Sequence, residues 1–159
     1  MKKIITTLFL IFSMISFAEK ASNFELRDQY DTNHTLTEYK GKVILLNFWI
    51  NYCQPCQEKL PIIENLYKEY GENKKDIIIL GINKEKTNKV KKFLKKNNYS
   101  FPTLIDKDSQ VVEKYSVKFV PTSFIIDRNG DIVEQITENL TIDQIKEKID
   151  KAKKFNWNS

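Results

Sequence analysis

The sequence is poor in cysteine, histidine, glycine and proline. Among its 159 residues are 2 cysteines, 4 glycines, 4 prolines and a single histidine, His34. Two cysteines and one distant histidine cannot supply the four ligands of a usual structural zinc site, so the sequence predicts no metal. No proline- or glycine-rich linker divides the chain, and its length suits one domain. We therefore expect a single domain over residues 19–159, preceded by a leader segment at residues 1–18.

The first 18 residues have the pattern of a signal peptide. Lys2 and Lys3 give a positive start, residues 4–15 are mostly apolar, and small residues stand at positions 16 and 18. The apolar run is shorter than the roughly 20 residues that cross a bilayer, which favours cleavage after Ala18 over a retained membrane anchor. No cysteine lies near this site, which argues against lipid attachment there. We expect export to the periplasm or another extracytoplasmic location.

The formal net charge is +5, and much of the excess is a group of lysines between residues 89 and 96. Val90, Phe93 and Leu94 recur among these lysines at helical spacing. This pattern is typical of a helix that buries an apolar stripe and solvates its lysine face. A surface for nucleic acid or membrane is the alternative, but we predict neither partner.

The pattern of apolar residues predicts an α/β fold with a central mixed β-sheet flanked by helices. Apolar runs and alternating patterns predict the strands 43–49, 77–82, 103–105, 122–126 and 131–136. Residues 24–27 and 34–36 flank a turn and predict an N-terminal β-hairpin. Helical spacing predicts the helices 53–70, 88–97, 109–115 and one beginning at Thr141. We expect the tail after Ala152 to be loosely ordered.

The two cysteines stand together as Cys53-Gln54-Pro55-Cys56, where a buried strand meets a helix. A thiol at a helix N-terminus faces unpaired N–H groups and the positive end of the helix dipole, which lower its pKa. We therefore predict that Cys53 attacks disulfides and that Cys56, one turn further in, resolves the mixed disulfide. Pro55 suits the first helical turn, where no N–H is needed.

A purely structural disulfide is the alternative interpretation of this pair. Chain entropy gives a four-residue loop a stabilisation of only about 2 kcal/mol, compared with about 3 kcal/mol for a 15-residue loop. A stabilising bridge would therefore be better placed between distant segments. We favour a redox-active disulfide, with no other cofactor.

Four stretches carry a family resemblance: residues 24–26, 36–42, 47–56 and 120–122. In them the sequence resembles the thioredoxin superfamily, and more closely its exported TlpA/ResA-like branch. The resemblance covers nearly all of the chain after the leader. It implies a thioredoxin-like fold with an N-terminal hairpin and an extra βα element between Cys56 and Pro121. It also implies a cis Pro121 against the cysteine pair, with a catalytic role, beside a Val120 backbone that pairs with substrate as an added strand.

The same resemblance assigns substrate-binding residues, and the sequence departs from the family at some positions. The predicted substrate-binding residues are Trp49, Tyr52, Gln54, Pro55 and Val120. Tyr52 replaces the usual tryptophan. Asn47 replaces a buried aspartate that moves protons for the resolving thiol in small thioredoxins. In the ResA-like group a loop glutamate takes over this proton transfer, and Glu85 is the candidate here. Ungapped alignment, however, places Lys86 at the position of that glutamate. A solvated loop carboxylate is the open alternative for Glu85.

The resemblance implies an enzyme, a thiol-disulfide oxidoreductase that acts as a monomer on protein disulfides. The dipeptide Gln54-Pro55 lacks the histidine of strongly oxidising enzymes, which favours a reductase over an oxidase or isomerase. The implied partners are a membrane thiol electron donor of the CcdA/DsbD type and a protein substrate. Apocytochrome c with oxidised haem-binding cysteines and an exported methionine sulfoxide reductase are the two candidate substrates.

Two other functions fit the same fold less well. A peroxiredoxin would carry a threonine where this sequence has Ile50, three residues before Cys53. A non-enzymatic copper-binding module would need a wider cysteine spacing and a later histidine, whereas His34 precedes both cysteines. We interpret His34 as a residue of the hairpin.

Overall fold

A six-stranded mixed β-sheet forms the centre of the molecule in the computed structural model, which describes residues 19–154. The strands are β1 (Glu19–Lys20), β2 (Glu25–Arg27), β3 (Asn33–Thr35), β4 (Val43–Phe48), β5 (Ile77–Asn83), β6 (Thr103–Ile105), β7 (Thr122–Ile126) and β8 (Asp131–Ile136). Their order in the main sheet is β1-β8-β7-β4-β5-β6, while β2 and β3 form a separate hairpin. Strands β4, β5 and β6 are parallel, and β7, β8 and β1 continue the sheet antiparallel.

Helices cover both faces of this sheet. They are the α-helices α1 (Gln54–Glu69), α2 (Thr87–Lys96), α3 (Gln110–Lys114) and α4 (Ile142–Lys154), together with a 3₁₀ helix at Leu36–Tyr39. Successive side chains of β4 point to opposite faces. Val43 and Leu45 therefore pack with α1, α2 and α4, whereas Ile44 and Leu46 pack with α3 and the N-terminal segment. The predicted mixed sheet, hairpin and additional βα element are confirmed.

The structure corrects the prediction for the end of the chain. Helix α4 includes the buried Ala152 and continues to Lys154, two residues into the segment predicted to be a loose tail. Ala152 follows Ile145 and Ile149 at helical spacing, so it lies on the face that packs against the sheet. The residues after 154 lie outside the described part of the chain.

The predicted signal peptide at residues 1–18 also lies outside the described residues. The described chain begins with β1, which pairs Glu19 with Ile132 and Lys20 with Asp131. The Lys20 ammonium lies 2.8 Å from the Asp131 carboxylate, and this ion pair adds a side-chain contact to the pairing. Within residues 19–154, no helix is long and apolar enough to cross a membrane.

The N-terminal hairpin is held by a buried polar cluster around His34. The His34 Nε2 atom lies 2.9 Å from the Asp28 carboxylate, and Nδ1 contacts the Tyr39 hydroxyl. Asp28 also accepts hydrogen bonds from the backbone of Tyr30 and Thr32 in the turn. Burial alone would raise the pKa of Asp28, but these hydrogen bonds more than offset it and the pKa is lowered. Both nitrogens of the single histidine are therefore engaged in holding the hairpin.

A buried carboxylate fixes α1 against the segment that leads into β6. Glu64 accepts hydrogen bonds from the backbone N–H and the hydroxyl of Ser100, at 2.8 and 2.7 Å, and from the N–H of Phe101. Lys68, one turn along the helix, lies 3.1 Å from the same carboxylate. Burial favours the neutral acid, but these contacts outweigh it and lower the pKa of Glu64. The helix that begins at the cysteine pair is thus fixed in position.

Candidate active site

Cys53 and Cys56 form a disulfide at the N-terminus of α1, with their Cα atoms 5.1 Å apart. Cys53 is the N-cap residue, and its Sγ accepts a hydrogen bond from the Cys56 N–H at 3.2 Å. The positive end of the helix dipole therefore lies beside the sulfur that we predict to be the nucleophile. Cys53 is half-buried, whereas Cys56 is fully enclosed. A partner disulfide can approach Cys53 but not Cys56.

The loop before β7 brings Pro121 to the cysteine pair from a distant part of the sequence. The peptide bond between Val120 and Pro121 is cis, as the resemblance implies. The Val120 carbonyl oxygen lies 3.7 Å from Cys53 Sγ. This carbonyl is therefore close enough to the reacting sulfur to meet the backbone of a bound partner.

Two large side chains stand out into solvent around this site. Tyr52, the residue before the cysteine pair, is 81% exposed, and Phe119, beside Val120, is 59% exposed. Apolar surface of this kind is a common mark of a binding site for another molecule. Phe119 was not singled out by the sequence analysis, although its place next to the Val-Pro step was a usable signal.

A groove of about 130 Å³ lies beside Phe119. Its lining includes Trp49, Ile50, Phe119 and Val120, with Lys84 and Lys118. Trp49 itself is 1% exposed and packs on Phe93 and Phe101, so it belongs mainly to the core. Direct contact of Trp49 with a substrate stays a prediction.

The dipeptide between the cysteines lies on the surface. Gln54 and Pro55 are both exposed, and Pro55 lies in the first turn of α1. The Gln54 side chain donates a hydrogen bond to Glu58 at 3.2 Å. Both residues are therefore accessible to a partner, as their predicted role requires.

Glu85 lies on the loop between β5 and α2, and its carboxylate is hydrogen-bonded to the segment before the cysteines. Its carboxylate accepts a hydrogen bond from the Asn51 N–H at 2.8 Å, and the Asn51 carbonyl accepts one from Gln57 at 2.6 Å. Lys86 is exposed and is the N-cap residue of α2. The structure thus places the Glu85 carboxylate where it fixes the Asn51 backbone. A role in proton transfer stays a prediction.

Asn47 is buried on the face of β4 that carries Val43 and Leu45, on the α1 side of the sheet. Its Oδ1 atom accepts a hydrogen bond from the Ser123 hydroxyl on β7 at 2.8 Å, while Nδ2 has no partner in the described chain. An amide nitrogen is a donor and not a base. Asn47 therefore cannot replace the proton-accepting aspartate of small thioredoxins.

The comparison with known proteins agrees with this geometry. The AhpC/TSA family model matches residues 17–135. The thiol-disulfide oxidoreductase ResA of Geobacillus thermodenitrificans is 34% identical over 139 residues, which is 87% of this chain and 79% of that protein. The chain belongs to the AhpC/TSA family and is a ResA-like thiol-disulfide oxidoreductase. Ile50 stands where a peroxiredoxin would carry threonine, and it lines the groove without a hydroxyl.

Solved structures share the fold of this ResA-like oxidoreductase. A Chlorobium tepidum protein described as a thiol:disulfide interchange protein DsbE superposes with a TM-score of 0.76 at 30% identity, covering 85% of this chain and 96% of that one. The exposed lipoprotein thioredoxin of Streptococcus pneumoniae has a TM-score of 0.74 at 27% identity, covering 82% and 99%. The predicted thioredoxin-like fold is confirmed.

This ResA-like oxidoreductase has one buried lysine near the cysteines that is not among the predicted site residues. Lys59, on α1, is only 2% exposed, and its Nζ atom has no hydrogen-bond partner in the described chain. Burial lowers the pKa of Lys59 to about 8. Lys59 lies three residues after Cys56 and directly before Leu60, so helical spacing places it at the edge of the apolar stripe. This spacing was the signal in the sequence that could have indicated its burial. Within residues 19–154, no group of three or more His, Cys, Asp or Glu side chains is placed to hold a metal ion.

Proposed function

We propose that this oxidoreductase is exported and reduces disulfides in partner proteins outside the cytoplasm. The observation that carries the proposal is the asymmetry of the pair, with Cys53 accessible at the helix N-terminus and Cys56 enclosed behind it. Such an arrangement serves an attacking and a resolving thiol. The absence of histidine from Gln54-Pro55 favours the reducing direction, because no imidazolium is present between the cysteines to stabilise the thiolate.

The proposed cycle begins with the reduced pair. The Cys53 thiolate attacks one sulfur of the partner disulfide, and the partner's other sulfur leaves as a thiolate and takes up a proton. Cys56 then attacks Cys53 Sγ, which releases the second partner thiol and forms the disulfide seen in the structure. A membrane thiol donor of the CcdA/DsbD type would reduce the pair again.

The surface around Cys53 suits an extended protein segment as substrate. The Val120 backbone, close to Cys53 Sγ, offers its carbonyl to a partner strand, while the exposed Phe119 and Tyr52 offer apolar contact. Oxidised apocytochrome c and an exported methionine sulfoxide reductase both present a protein disulfide of the required kind. We propose that the protein acts as a monomer, since one chain contains the whole site.

The proposed export rests on the leader pattern of residues 1–18 and on one relative. The pneumococcal relative is an exposed lipoprotein, so the same fold works outside the cytoplasm in that bacterium. Disulfides persist in protein substrates mainly in such oxidising locations. An exported reductase would therefore meet oxidised partners.

The proposal is tested by the rates at which the reduced protein reduces different disulfides. We expect an oxidised peptide of the Cys-x-x-Cys-His haem-attachment pattern, or an oxidised methionine sulfoxide reductase, to react at least about tenfold faster than glutathione disulfide, because each adds backbone and apolar contacts. Phe119→Ala should slow the faster protein substrate and leave glutathione disulfide unchanged. Equal rates for all three disulfides would contradict the proposal.

A further inference from the structure

Lys59 is in an unusual environment for a lysine. Lysines are rarely buried, and where the stem is covered the ammonium group normally reaches water. Here the Nζ atom itself is buried and has no partner in the described part of the chain. A buried amine without a partner destabilises the folded state, so its presence needs an explanation beyond packing.

The position of Lys59 relates it to the resolving cysteine. It follows Cys56 by three residues, and both belong to the buried face of α1 with Leu60 and Ile63. Residues three apart are neighbours on a helix surface. Side chains on a helix lean toward its N-terminus, so the Lys59 stem is directed toward the turn that carries Cys56.

The two acidic side chains further along α1 are already paired. Glu64 is held by Ser100 and Lys68, and Glu69 on the same helix lies 2.7 Å from Lys146 of α4. From the sheet, β4 and β7 contribute the uncharged pair Asn47 and Ser123. No acidic side chain contributes to the pKa shift of Lys59, whose cause is burial alone.

Glu85, the proton-transfer candidate from the sequence, is hydrogen-bonded to the backbone before the cysteines. Its carboxylate accepts the Asn51 N–H. Lys59 is thus the buried base that the described chain places one helical turn from the resolving thiol.

Burial also gives Lys59 a suitable acidity. It lowers the pKa of the ammonium to about 8, and a free cysteine thiol has a pKa of about 8.5. Proton transfer between groups of similar pKa costs little free energy, which is the condition for an effective base.

We propose that Lys59 accepts the proton that Cys56 loses when Cys56 resolves the mixed disulfide. This inference rests on the dithiol-disulfide cycle of the proposed function, and it makes Lys59 a proton-transfer residue for Cys56. In the step, the S–H bond of Cys56 breaks and an N–H bond forms at Lys59 Nζ. The Cys56 thiolate attacks Cys53 Sγ, the new S–S bond forms, and the partner sulfur leaves with the electron pair.

After Cys56 has formed the disulfide, Lys59 can lose the proton that it accepted. Once Cys56 is part of the disulfide, no thiolate remains to stabilise the Lys59 ammonium, and burial keeps the pKa of Lys59 low enough for the proton to be lost readily. The proton passes to solvent or to the departing partner thiolate. The structure, with the disulfide formed and Lys59 Nζ without a partner in residues 19–154, corresponds to this stage.

The test separates the two thiol steps with a small aromatic disulfide, dithiobis(nitrobenzoate). The reduced protein releases one nitrothiobenzoate when Cys53 attacks and a second when Cys56 resolves the adduct, and stopped-flow absorbance follows both. We expect Lys59→Met to slow the second release at least about tenfold at pH 7, with the first release changed much less. Because the unaided thiol must ionise, the second step of the variant should recover as the pH rises above about 8.5.

Lys92→Met is the matched control, since it makes the same substitution at an exposed lysine on α2, and we expect its second step to keep the wild-type pH profile. A second step of Lys59→Met that matches wild type at every pH would overturn the inference. So would a slowed second step that high pH does not restore, since that result indicates a structural effect. Dithiobis(nitrobenzoate) is not a protein, so this test does not depend on which protein partner is reduced. If wild type releases both nitrothiobenzoate molecules completely, the dithiol cycle is established even where the proposed partners are wrong.

A second measurement needs no variant. In protein with isotope-labelled lysine, NMR should show Lys59 Nζ titrating at a higher pH after reduction than before it, because the Cys56 thiolate then stabilises the ammonium. An identical titration in the two redox states would overturn the inference even if Lys59→Met failed to fold.

Discussion

Replacing Cys53 with serine is expected to lower protein-disulfide reduction at least about a thousandfold, because a serine hydroxyl does not ionise at neutral pH and cannot attack a disulfide. Cys53 is the N-cap of α1, and serine is also a good N-cap residue, so the variant should keep its fold. The measurement is the turnover of a protein disulfide with dithiothreitol as electron donor, beside a thermal unfolding curve.

Cys56→Ser is the matched variant, because it keeps the attacking thiol and removes the resolving one. It should accumulate a mixed disulfide with the partner, seen as an adduct by mass spectrometry without reductant. Turnover by Cys53→Ser at a tenth of the wild-type rate or more would assign the attacking role to another group. An adduct on Cys56 in preference to Cys53 would reverse the two roles.

Leu60→Ala is expected to lower the free energy of unfolding by about 2 to 5 kcal/mol, the range for truncation of a fully buried leucine. Leu60 is completely enclosed in the core between α1 and the sheet, one turn after Cys56. The lower free energy of unfolding should be measured by urea unfolding of the oxidised protein, because the disulfide is then intact in both the folded and the unfolded state.

Asn65→Ala is the control for this prediction, since Asn65 lies on the exposed side of the same helix. We expect it to change stability by no more than about 0.5 kcal/mol. A loss below about 1 kcal/mol for Leu60→Ala would show that α1 is not anchored through this core.

The parts of the fold that the sequence predicts well are those with a strong local pattern. Strands β4 and β5 are covered on both faces, which requires the nearly continuous apolar runs seen at 43–49 and 77–82. The beginning of α1 was predictable because Pro55, two residues after the Cys53 N-cap, suits the first helical turn.

Other elements depend on contacts that no local pattern records. Strand β1 has two exposed charged residues, and it is a strand only because β8 lies beside it. The 3₁₀ helix at Leu36–Tyr39 is short, although the Thr35-x-x-Glu38 sequence was an available capping signal, with Glu38 accepting the Thr35 N–H. Neither element lies at the active site.

At the site itself, the sequence predicts the cysteine pair and the position of Pro121 but not the buried charge. Helical spacing places Lys59 only at the edge of the apolar stripe, and a lysine there is normally exposed. Only the three-dimensional structure shows that its amine is enclosed on the Cys56 face. Likewise, the exposure of Phe119 depends on the conformation of the loop before β7.

The reduction potential of the Cys53–Cys56 pair tests the central claim most directly. Equilibration of the purified domain in dithiothreitol or glutathione buffers, with Cys53→Ser as the control, gives the ratio of the oxidised to the reduced form. A protein that reduces its partners is predicted to have a potential of about −250 mV or more negative, whereas a value near about −120 mV belongs to strong oxidants and would contradict the reductase account.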